Sequence, residues 1–296
     1  MREEVEKMSP LPEKILLATD GSEDAELAAR AAADLSDKTG AELHVMYAWQ
    51  YVPHPLLDAE HYEEEAWRLL NEQAQLLAGV TVKESHLKMA PAVDAILDVS
   101  EEIGADLIVV GSRGRGPIGR LLLGSVSEGV VHHATRPVLV LRGGQDAWPP
   151  GRILIGDDGS GAAGKAGELA ASIGGLFETR VVLVRAYPEL PETDPVGRAL
   201  DPRAVDDALH RAEQELHERA DELERLAGSR PRMEIAAGDA AVALLEEARE
   251  GDERRALIAV GSRGLGLARR LRLGSVSTKV LRAAGGPVLV YPQAEV

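Results

Sequence analysis

One glycine- and serine-rich motif occurs twice in the chain, and the two copies begin 150 residues apart. Each copy reads Gly-Ser-Arg-Gly, nine further residues and Gly-Ser-Val-Ser, covering residues 111–127 and again 261–277. An apolar run precedes each copy, at 107–110 and 257–260, as a buried strand would. Glycines let a backbone approach a ligand closely, and a helix that begins at a Gly-Ser pair offers unpaired N–H groups and a positive dipole end. The repeat therefore predicts a duplicated domain with a phosphate-binding loop in each half.

The composition limits the classes of protein to which the chain can belong. Its 296 residues suffice for two domains; 45% are hydrophobic but only 3% aromatic, so Val, Leu, Ile and Ala must form the cores. The net charge of -16 argues against binding to nucleic acid or to an acidic membrane, because both need clustered positive charge. Cysteine is absent, which fits a reducing cytoplasm, and the apolar runs are far shorter than the ~20 residues that span a bilayer. We therefore predict a cytoplasmic protein with no nucleic-acid or membrane partner.

Apolar runs alternate with amphipathic segments in the same order in both halves. The predicted strands cover 14–19, 41–48, 82–89, 106–110 and 137–141, and again 152–156, 180–186, 232–237, 256–260 and 287–291. Continuously apolar strands that alternate with helices are typical of a parallel sheet covered on both faces. The predicted fold class is α/β: two tandem doubly wound domains, each a five-stranded parallel sheet with helices on both faces.

The domain boundaries follow from the same pattern. We predict an N-terminal arm at 1–13, a first domain at 14–142, a linker at 143–151 and a second domain at 152–296. The fifth strand of each half is short and apolar and would lie at a sheet edge, where an unpaired strand risks aggregation. We therefore expect the halves to pair through these strands as an intramolecular pseudo-dimer. A homodimer of whole chains is compatible with this arrangement but not required.

An Asp-Gly-Ser turn follows the first strand of each half, beginning at Asp20 and at Asp158. In an open parallel sheet, ligands sit at the carboxyl ends of the strands where the winding reverses. If the first and fourth strands are neighbours, Asp20 and Gly111 reach one crevice. Glu23 and Asp24 would repel phosphate from the first helix, which assigns the phosphate to the helix that begins at Ser125.

These features together resemble the ATP-binding branch of the universal stress protein family. The resemblance rests on Asp-Gly-Ser after the first strand, Leu-His-Val at 43–45 in the second strand and Gly-x2-Gly-x9-Gly-Ser after the fourth. It covers about residues 13–142 and 151–292. It implies the strand order 3-2-1-4-5 in each domain, ATP bound as a signal and a regulatory role in stress or dormancy responses. A triphosphate would arrive with Mg²⁺, held mostly by phosphate oxygens and water.

The same resemblance implies a set of site residues in each half. Those implied to lie near adenine and ribose are Asp20, Val45 and Gly111, and in the second half Asp158, Leu183 and Gly261. Those implied to hold the phosphates are Gly114, Gly124, Ser125 and Ser127, and in the second half Gly264, Gly274, Ser275 and Ser277. From the loops themselves we add Arg113, Val126, Arg263 and Val276 as candidate site residues. The two arginines either reach a phosphate or are exposed loop residues, and the aspartates could instead form ordinary turns. Asp157 replaces Thr19, and we expect this extra carboxylate to weaken the second site.

Nucleotide binding as a signal has three alternatives in the sequence: an NAD site, an ATP-using enzyme and a nucleotide-independent interaction module. The loop at 114–119 also fits Gly-x-Gly-x-x-Gly, but it follows the fourth strand and the second half lacks the last glycine, so we predict no NAD site. A slow ATPase or autokinase would need a general base or water-positioning residue repeated near both phosphates, and the sequence offers none. We therefore predict no catalytic residue, and the sequence shows no metal-ligand cluster. A nucleotide-independent interaction module is disfavoured by the intact glycines of both halves.

The glycine that precedes the phosphate-binding helix offers a test of this assignment. If Gly124 and Gly274 face phosphate, valine at either position should abolish nucleotide binding and leave the fold intact. If they only shape a turn, valine should destabilise the domain whether or not ligand is present.

Overall fold

The computed structural model describes residues 10–51, 53, 58–77, 79–114, 123–187, 202–263 and 273–293, without the side chains of 202 and 204–209. The chain divides into two compact units, Met1–Trp148 and Pro149–Val296. Each unit is a complete α/β domain.

The first unit contains a five-stranded sheet in which the neighbouring strands run parallel. Its strands are β1 Lys14–Ala18, β2 Glu42–Trp49, β3 Val82–Met89, β4 Leu107–Gly111 and β5 Val138–Leu141, in the order β3-β2-β1-β4-β5. Its helices are α1 Glu23–Thr39, α2 Ala59–Leu76, α3 Ala92–Ile103 and α4 Ser125–His133.

The second unit repeats this order. Its strands are β6 Arg152–Gly156, β7 Arg180–Tyr187, β8 Arg232–Ala237, β9 Ala256–Gly261 and β10 Val288–Tyr291, in the order β10-β9-β6-β7-β8. Its helices are α5 Gly161–Leu176, α6 Pro202–Ala227, α7 Ala240–Arg249 and α8 Ser275–Ala283. The predicted fold class and the strand order 3-2-1-4-5 are therefore confirmed in both units, whereas the pairing of the two halves through their fifth strands stays a prediction.

Burial on both faces explains why the central strands are apolar at every position. Consecutive residues of β1, Ile15, Leu16 and Leu17, are all 0% exposed although their side chains alternate between faces. Connections between parallel strands are right-handed, so their helices lie on one face of the sheet where the chain progresses from β1 to β3. The helices lie on the other face where the chain returns from β3 through β4 to β5. This places α1 with α2 on one face and α3 with α4 on the other, and each pair of helices is in contact. The connections from β1 progress across the sheet in one direction, and those from β4 progress in the other. This change in winding opens a crevice at the carboxyl ends of β1 and β4, which run parallel.

Local capping sets the ends of α1. The Ser22 side chain accepts a hydrogen bond from the backbone N–H of Ala25, and Gly40 ends the helix with φ 74°, where a residue without Cβ is favoured. The predicted linker also has structure: residues Gln145–Ala147 form a 3-10 turn, and the buried Trp148 indole donates to Asp34 of α1 at 3.1 Å. None of the described helices is long and apolar enough to cross a membrane.

Candidate functional site

A cavity of about 370 Å³ lies at the switch point of the first unit, between the ends of β1 and β4. The predicted residues in its lining are Asp20, Gly111, Arg113, Gly114, Gly124, Ser125, Val126 and Ser127. Apolar side chains from β2, α3 and β4 complete it, among them Met46, Ile96 and Val110. One concave surface thus joins a glycine-rich polar end to an apolar end.

The second unit has a matching cavity of about 400 Å³. The predicted residues in its lining are Asp158, Gly261, Arg263, Gly274, Ser275, Val276 and Ser277. Gly264 lies outside the described residues. Val45 and Leu183 are 0% exposed and are not part of either lining, although the residues that follow them, Met46 and Val184, are. Contact of Val45 and Leu183 with an adenine stays a prediction.

Hydrogen bonds join the loop after β1 to the loop after β4. Asp20 Oδ1 accepts from the Ser22 backbone N–H at 3.0 Å, and Ser22 Oγ donates to the Arg113 carbonyl at 2.9 Å. The other carboxylate oxygen of Asp20 would collide with a Cβ on Gly114. The turn that begins at Asp20 therefore holds its carboxylate against the glycine loop.

The same contacts recur in the second unit. Asp158 Oδ1 accepts from the Ser160 backbone N–H at 3.0 Å, and Ser160 Oγ donates to the Arg263 carbonyl at 3.3 Å. Each aspartate forms an ordinary side-chain turn and also lines its cavity, so the two interpretations of the sequence are compatible.

Gly111 and Gly261 are required by helix packing. A Cβ on Gly111 would lie 2.7 Å from the Asp24 carbonyl carbon and 2.8 Å from the Ala25 nitrogen. On Gly261 it would lie 2.7 Å from the Ala163 nitrogen. The first turn of α1 or α5 can therefore pack against the end of the strand only where that strand ends in glycine.

The helices that begin at the cavities lack side-chain caps. The N-cap residues of α4 and α8 are Gly124 and Gly274, and neither helix start has a side-chain cap hydrogen bond. The first residues of both helices line the cavities, so the unpaired N–H groups and positive dipole ends face the open space. The start of α1 differs because Ser22 caps it and Glu23 follows. An anion is therefore favoured at α4 and α8 and disfavoured at α1.

The third residue of each of these helices fastens the glycine loop. Ser127, 2% exposed, donates its hydroxyl to the Ser112 carbonyl at 2.8 Å, and Ser277 donates to Ser262 at 3.0 Å. These hydroxyls are engaged in holding the loop. Ser127 and Ser277 would therefore contribute to anion binding through their backbone N–H groups.

The contacts around Gly124 count against the expectation that valine leaves the fold intact, which stays a prediction. A Cβ there would lie 2.9 Å from the Ser112 carbonyl oxygen and 3.4 Å from Arg113 Cα, so it would displace backbone. At Gly274 the nearest atom, the Ser262 carbonyl oxygen, is 3.3 Å away, a milder conflict. Glycine is needed here to shape the loop, and valine cannot separate loss of binding from loss of structure.

The two matched arginines have different surroundings. Asp24, 4% exposed, accepts from Arg113 Nε at 2.8 Å and Nη2 at 3.1 Å, and from Ser112 Oγ at 2.7 Å. The hydrogen bonds that Arg113 donates to Asp24 raise the pKa of Arg113. In the second unit Ala162 stands in the place of Asp24, and the buried Nε of Arg263 has no hydrogen-bond partner among the described residues. Arg113 is therefore held against α1, while Arg263 retains donors for a ligand.

The extra carboxylate of the second site is neutralised. Asp157, 6% exposed, accepts hydrogen bonds from Nε and Nη2 of Arg185 at one carboxylate oxygen, Oδ2. Arg185 is 7% exposed and also donates to Glu215 at 3.1 Å. Burial lowers the pKa of Arg185, but its interactions with Asp157 and Tyr187 together raise the pKa overall. The physical reason for expecting Asp157 to weaken the second site is therefore removed.

Sequence reasoning missed the hydrogen bonds by which Ser22 and Ser160 hold the glycine loops, and it missed the partner of Asp24. It grouped Asp24 with Glu23 as a charge that repels phosphate, whereas the Asp24 carboxylate binds Arg113. A usable signal existed, since the arginine recurs in both halves while Asp24 is matched by Ala162.

Together, the fold and these crevices define a tandem doubly wound α/β protein with a glycine-lined cavity at the switch point of each sheet. The universal stress protein family model matches residues 12–142 and 150–292, nearly the whole of both units. The chain belongs to this family and is a tandem member of it.

Individual relatives agree with this assignment. The chain is 31% identical over 299 residues to a universal stress protein of Mycolicibacterium smegmatis, covering 93% of this chain and 96% of that protein. It is 31% identical over 296 residues to universal stress protein Rv2623 of Mycobacterium tuberculosis, covering 93% and 95%. A Thermus aquaticus universal stress protein is 40% identical over 135 residues, which is 97% of that protein but 43% of this chain. The crystal structure of a universal stress protein from Archaeoglobus fulgidus shares the fold, with a TM-score of 0.66, 23% identity and coverage of 97% and 100%.

Proposed function

We propose that each unit binds one adenine nucleotide, with ATP as the ligand, and that the protein uses the bound nucleotide as a regulatory signal in cytoplasmic stress responses. The observation that carries the proposal is the pair of uncapped helix starts, α4 and α8, each facing a cavity. Backbone N–H groups at a helix N-terminus, next to spaced glycines, form a ready phosphate site. The role in stress responses rests on membership of the family.

The other end of each cavity suits a base and its sugar. In the first unit Met46, Ala48 and Ile96 supply an apolar surface, and Asp20 supplies a carboxylate that can accept hydrogen bonds from ribose hydroxyls. The volumes of about 370 and 400 Å³ fall within the range of small-molecule sites, roughly 300–1,000 Å³. The nucleotide would lie with its base over β2 and α3 and its phosphates at α4.

Binding is favoured over hydrolysis by the groups that the cavities contain. Among the described lining residues there is no histidine or lysine, and the carboxylates are Asp20, Asp157 and Asp158. Asp157 is ion-paired with Arg185, and the other two each hold the backbone of their own turn. A general base must lie within hydrogen-bond reach of the attacking water, and neither site repeats an unengaged candidate in its described part.

Calorimetry on the full chain tests the proposal. Titration with ATP in millimolar Mg²⁺ should give two nucleotides per chain, and the purified protein should release phosphate far more slowly than roughly 1 per second, the lower end of kinase rates. GTP provides the control for recognition of the base and should bind more weakly. Absence of both heat and a melting-temperature shift up to millimolar ATP would contradict nucleotide binding, and release at the kinase rate would establish the enzyme alternative.

Replacing Arg263 by glutamine should weaken ATP binding in the second unit by about 10–100-fold. A hydrogen bond to a charged group contributes roughly 1.5–3 kcal/mol, and Arg263 has donors available beside the phosphate region. Two-site calorimetry would resolve the weakened site from the unchanged one.

Arg113→Gln is the matched control. The Arg113 side chain is bound to Asp24. Arg113→Gln should therefore lower the melting temperature, and it should weaken nucleotide binding less than Arg263→Gln does. Burial lowers the pKa of Arg142 to about 10, so this neighbour stays charged at neutral pH and continues to offset part of the Asp24 charge. Equal losses of affinity in both variants would show that the two arginines play the same role.

A further inference from the structure

Two histidines and a glutamate meet on the sheet of the first unit, outside the crevice. His44 lies on β2, and Glu84 and His86 lie on β3, the edge strand. The register pairs His44 with Glu84 and Met46 with His86. Side chains alternate along a strand, so these three share one face of the sheet.

The donor atoms of these three side chains converge. One ligand atom from each lies within 4.8 Å of the others. His44 Nδ1 faces His86 Nε2 at 3.0 Å, and the two rings are stacked with centroids 5.3 Å apart. A Glu84 carboxylate oxygen lies 3.9 Å from His86 Nε2.

His44 is incompletely satisfied by the protein alone. It is 5% exposed, and its buried Nε2 has no hydrogen-bond partner among the described residues. One of the two facing nitrogens must carry the proton of the His44–His86 contact, which leaves Nε2 as either a buried N–H without an acceptor or a buried lone pair without a donor. Buried polar atoms are normally paired, so this arrangement needs an explanation.

We propose that His44, Glu84 and His86 bind one divalent transition-metal ion of the Zn²⁺ class, with water as a further ligand. Two imidazole nitrogens and one carboxylate form a donor set that Zn²⁺ favours, and three protein ligands leave one position open. Tetrahedral Zn–N bonds of about 2.0–2.1 Å place two ligand nitrogens about 3.3 Å apart, close to the separation of His44 Nδ1 and His86 Nε2.

The surroundings of His44 fit this role. With Nδ1 bound to the metal, Nε2 would carry the proton, and a Glu42 carboxylate oxygen lies 3.9 Å from it. This separation exceeds a direct hydrogen bond, so Glu42 would act as an outer-sphere carboxylate through its charge or through a bridging water. The nearby cations are engaged: Lys83 pairs with Glu42 at 3.3 Å, and Lys14 donates to the Ile103 carbonyl at 3.1 Å.

The cluster belongs to the first unit only. The matched strand pairs of the second unit join Val182 to Arg232 and Val184 to Glu234, so no imidazole stands at these positions. The proposed stoichiometry is therefore one ion per chain. The ion would tie the edge strand β3 to β2, and a ligand that binds only the folded state raises its stability.

Metal titration of the full chain tests the proposal. The protein carries no histidine tag, contains no nucleotide and is titrated with Zn²⁺ by calorimetry and with Co²⁺ by visible absorption. We expect one Zn²⁺ per chain, an intense Co²⁺ spectrum typical of four-coordination, and a higher melting temperature with Zn²⁺. Loss of an outer-sphere carboxylate weakens metal binding by roughly 10–100-fold, and we expect Glu42→Gln to fall within that range. His86→Gln removes a direct ligand and should weaken binding by more than that.

The matched control is His132→Gln/His133→Gln, which removes a neighbouring pair of histidines on α4 and should leave the titration unchanged. Glu84 is exposed, so Glu84→Gln keeps the fold if His86→Gln does not, and it should also weaken binding. Three results would each overturn the proposal. The first is absence of Zn²⁺ binding, and the second is equal Zn²⁺ binding by wild type and the folded Glu84→Gln and His86→Gln variants. The third is loss of Zn²⁺ binding in the α4 control. None of these outcomes depends on nucleotide binding, so the two proposals fail independently.

Discussion

Replacing Ser125 by glutamate is expected to eliminate nucleotide binding in the first unit while the domain stays folded. Ser125 is exposed, is the first residue of α4 and lines the cavity. A carboxylate in the first turn of a helix interacts favourably with the dipole, by about 0.3–1 kcal/mol, so the fold should not suffer. The same carboxylate would lie beside the phosphate position and repel the phosphate by its charge.

The expected loss of affinity is large. Two unit charges about 4 Å apart near a protein surface repel by about 4 kcal/mol at an effective dielectric constant of 20, which corresponds to roughly 1,000-fold in affinity. Calorimetry should therefore show one nucleotide per chain for Ser125→Glu instead of two. The measurement replaces the valine test at Gly124, which would disturb the backbone of the loop.

The duplication supplies the controls for this experiment. Ser275→Glu should remove the second site alone, because Ser275 begins α8 in the same way, and the double variant should bind no nucleotide. Ser125→Gln has a similar size without the charge and should retain most of the affinity. Full ATP binding by a folded double glutamate variant would show that the phosphates do not lie at these helix starts.

Replacing Arg185 by tyrosine is expected to destabilise the second unit by about 3–5 kcal/mol, because removal of one partner leaves a buried charge uncompensated. Asp157 is 6% exposed and would lose both hydrogen bonds that Arg185 donates to it. Denaturant unfolding followed by circular dichroism should show the loss.

The first unit provides a matched rescue. Thr19 and Tyr47 stand there at the positions of Asp157 and Arg185. Asp157→Thr/Arg185→Tyr should therefore recover most of the stability, because replacing both members of a buried pair can be nearly neutral. If the single and double variants were equally unstable, the packing of Arg185 rather than its charge would account for the loss.

The sequence by itself determined the order of the elements, the duplication and the positions of both glycine loops. Strands of a doubly wound sheet are apolar on both faces, and glycines mark where a backbone must turn or be approached closely, so both leave a local pattern in the chain. Ser22 could be identified as the cap of α1 for the same reason, because a cap is made within a few residues of itself.

Contacts between distant residues were decided only by the tertiary structure. Asp24 meets Arg113 across 89 positions, and Asp157 meets Arg185 across 28. Whether such a carboxylate repels a ligand or is neutralised depends on which cation packs against it. The local sequence does not predict that cation. His44 reaches Glu84 and His86 through strand register alone, since a shift of one residue in β3 would send both side chains to the opposite face.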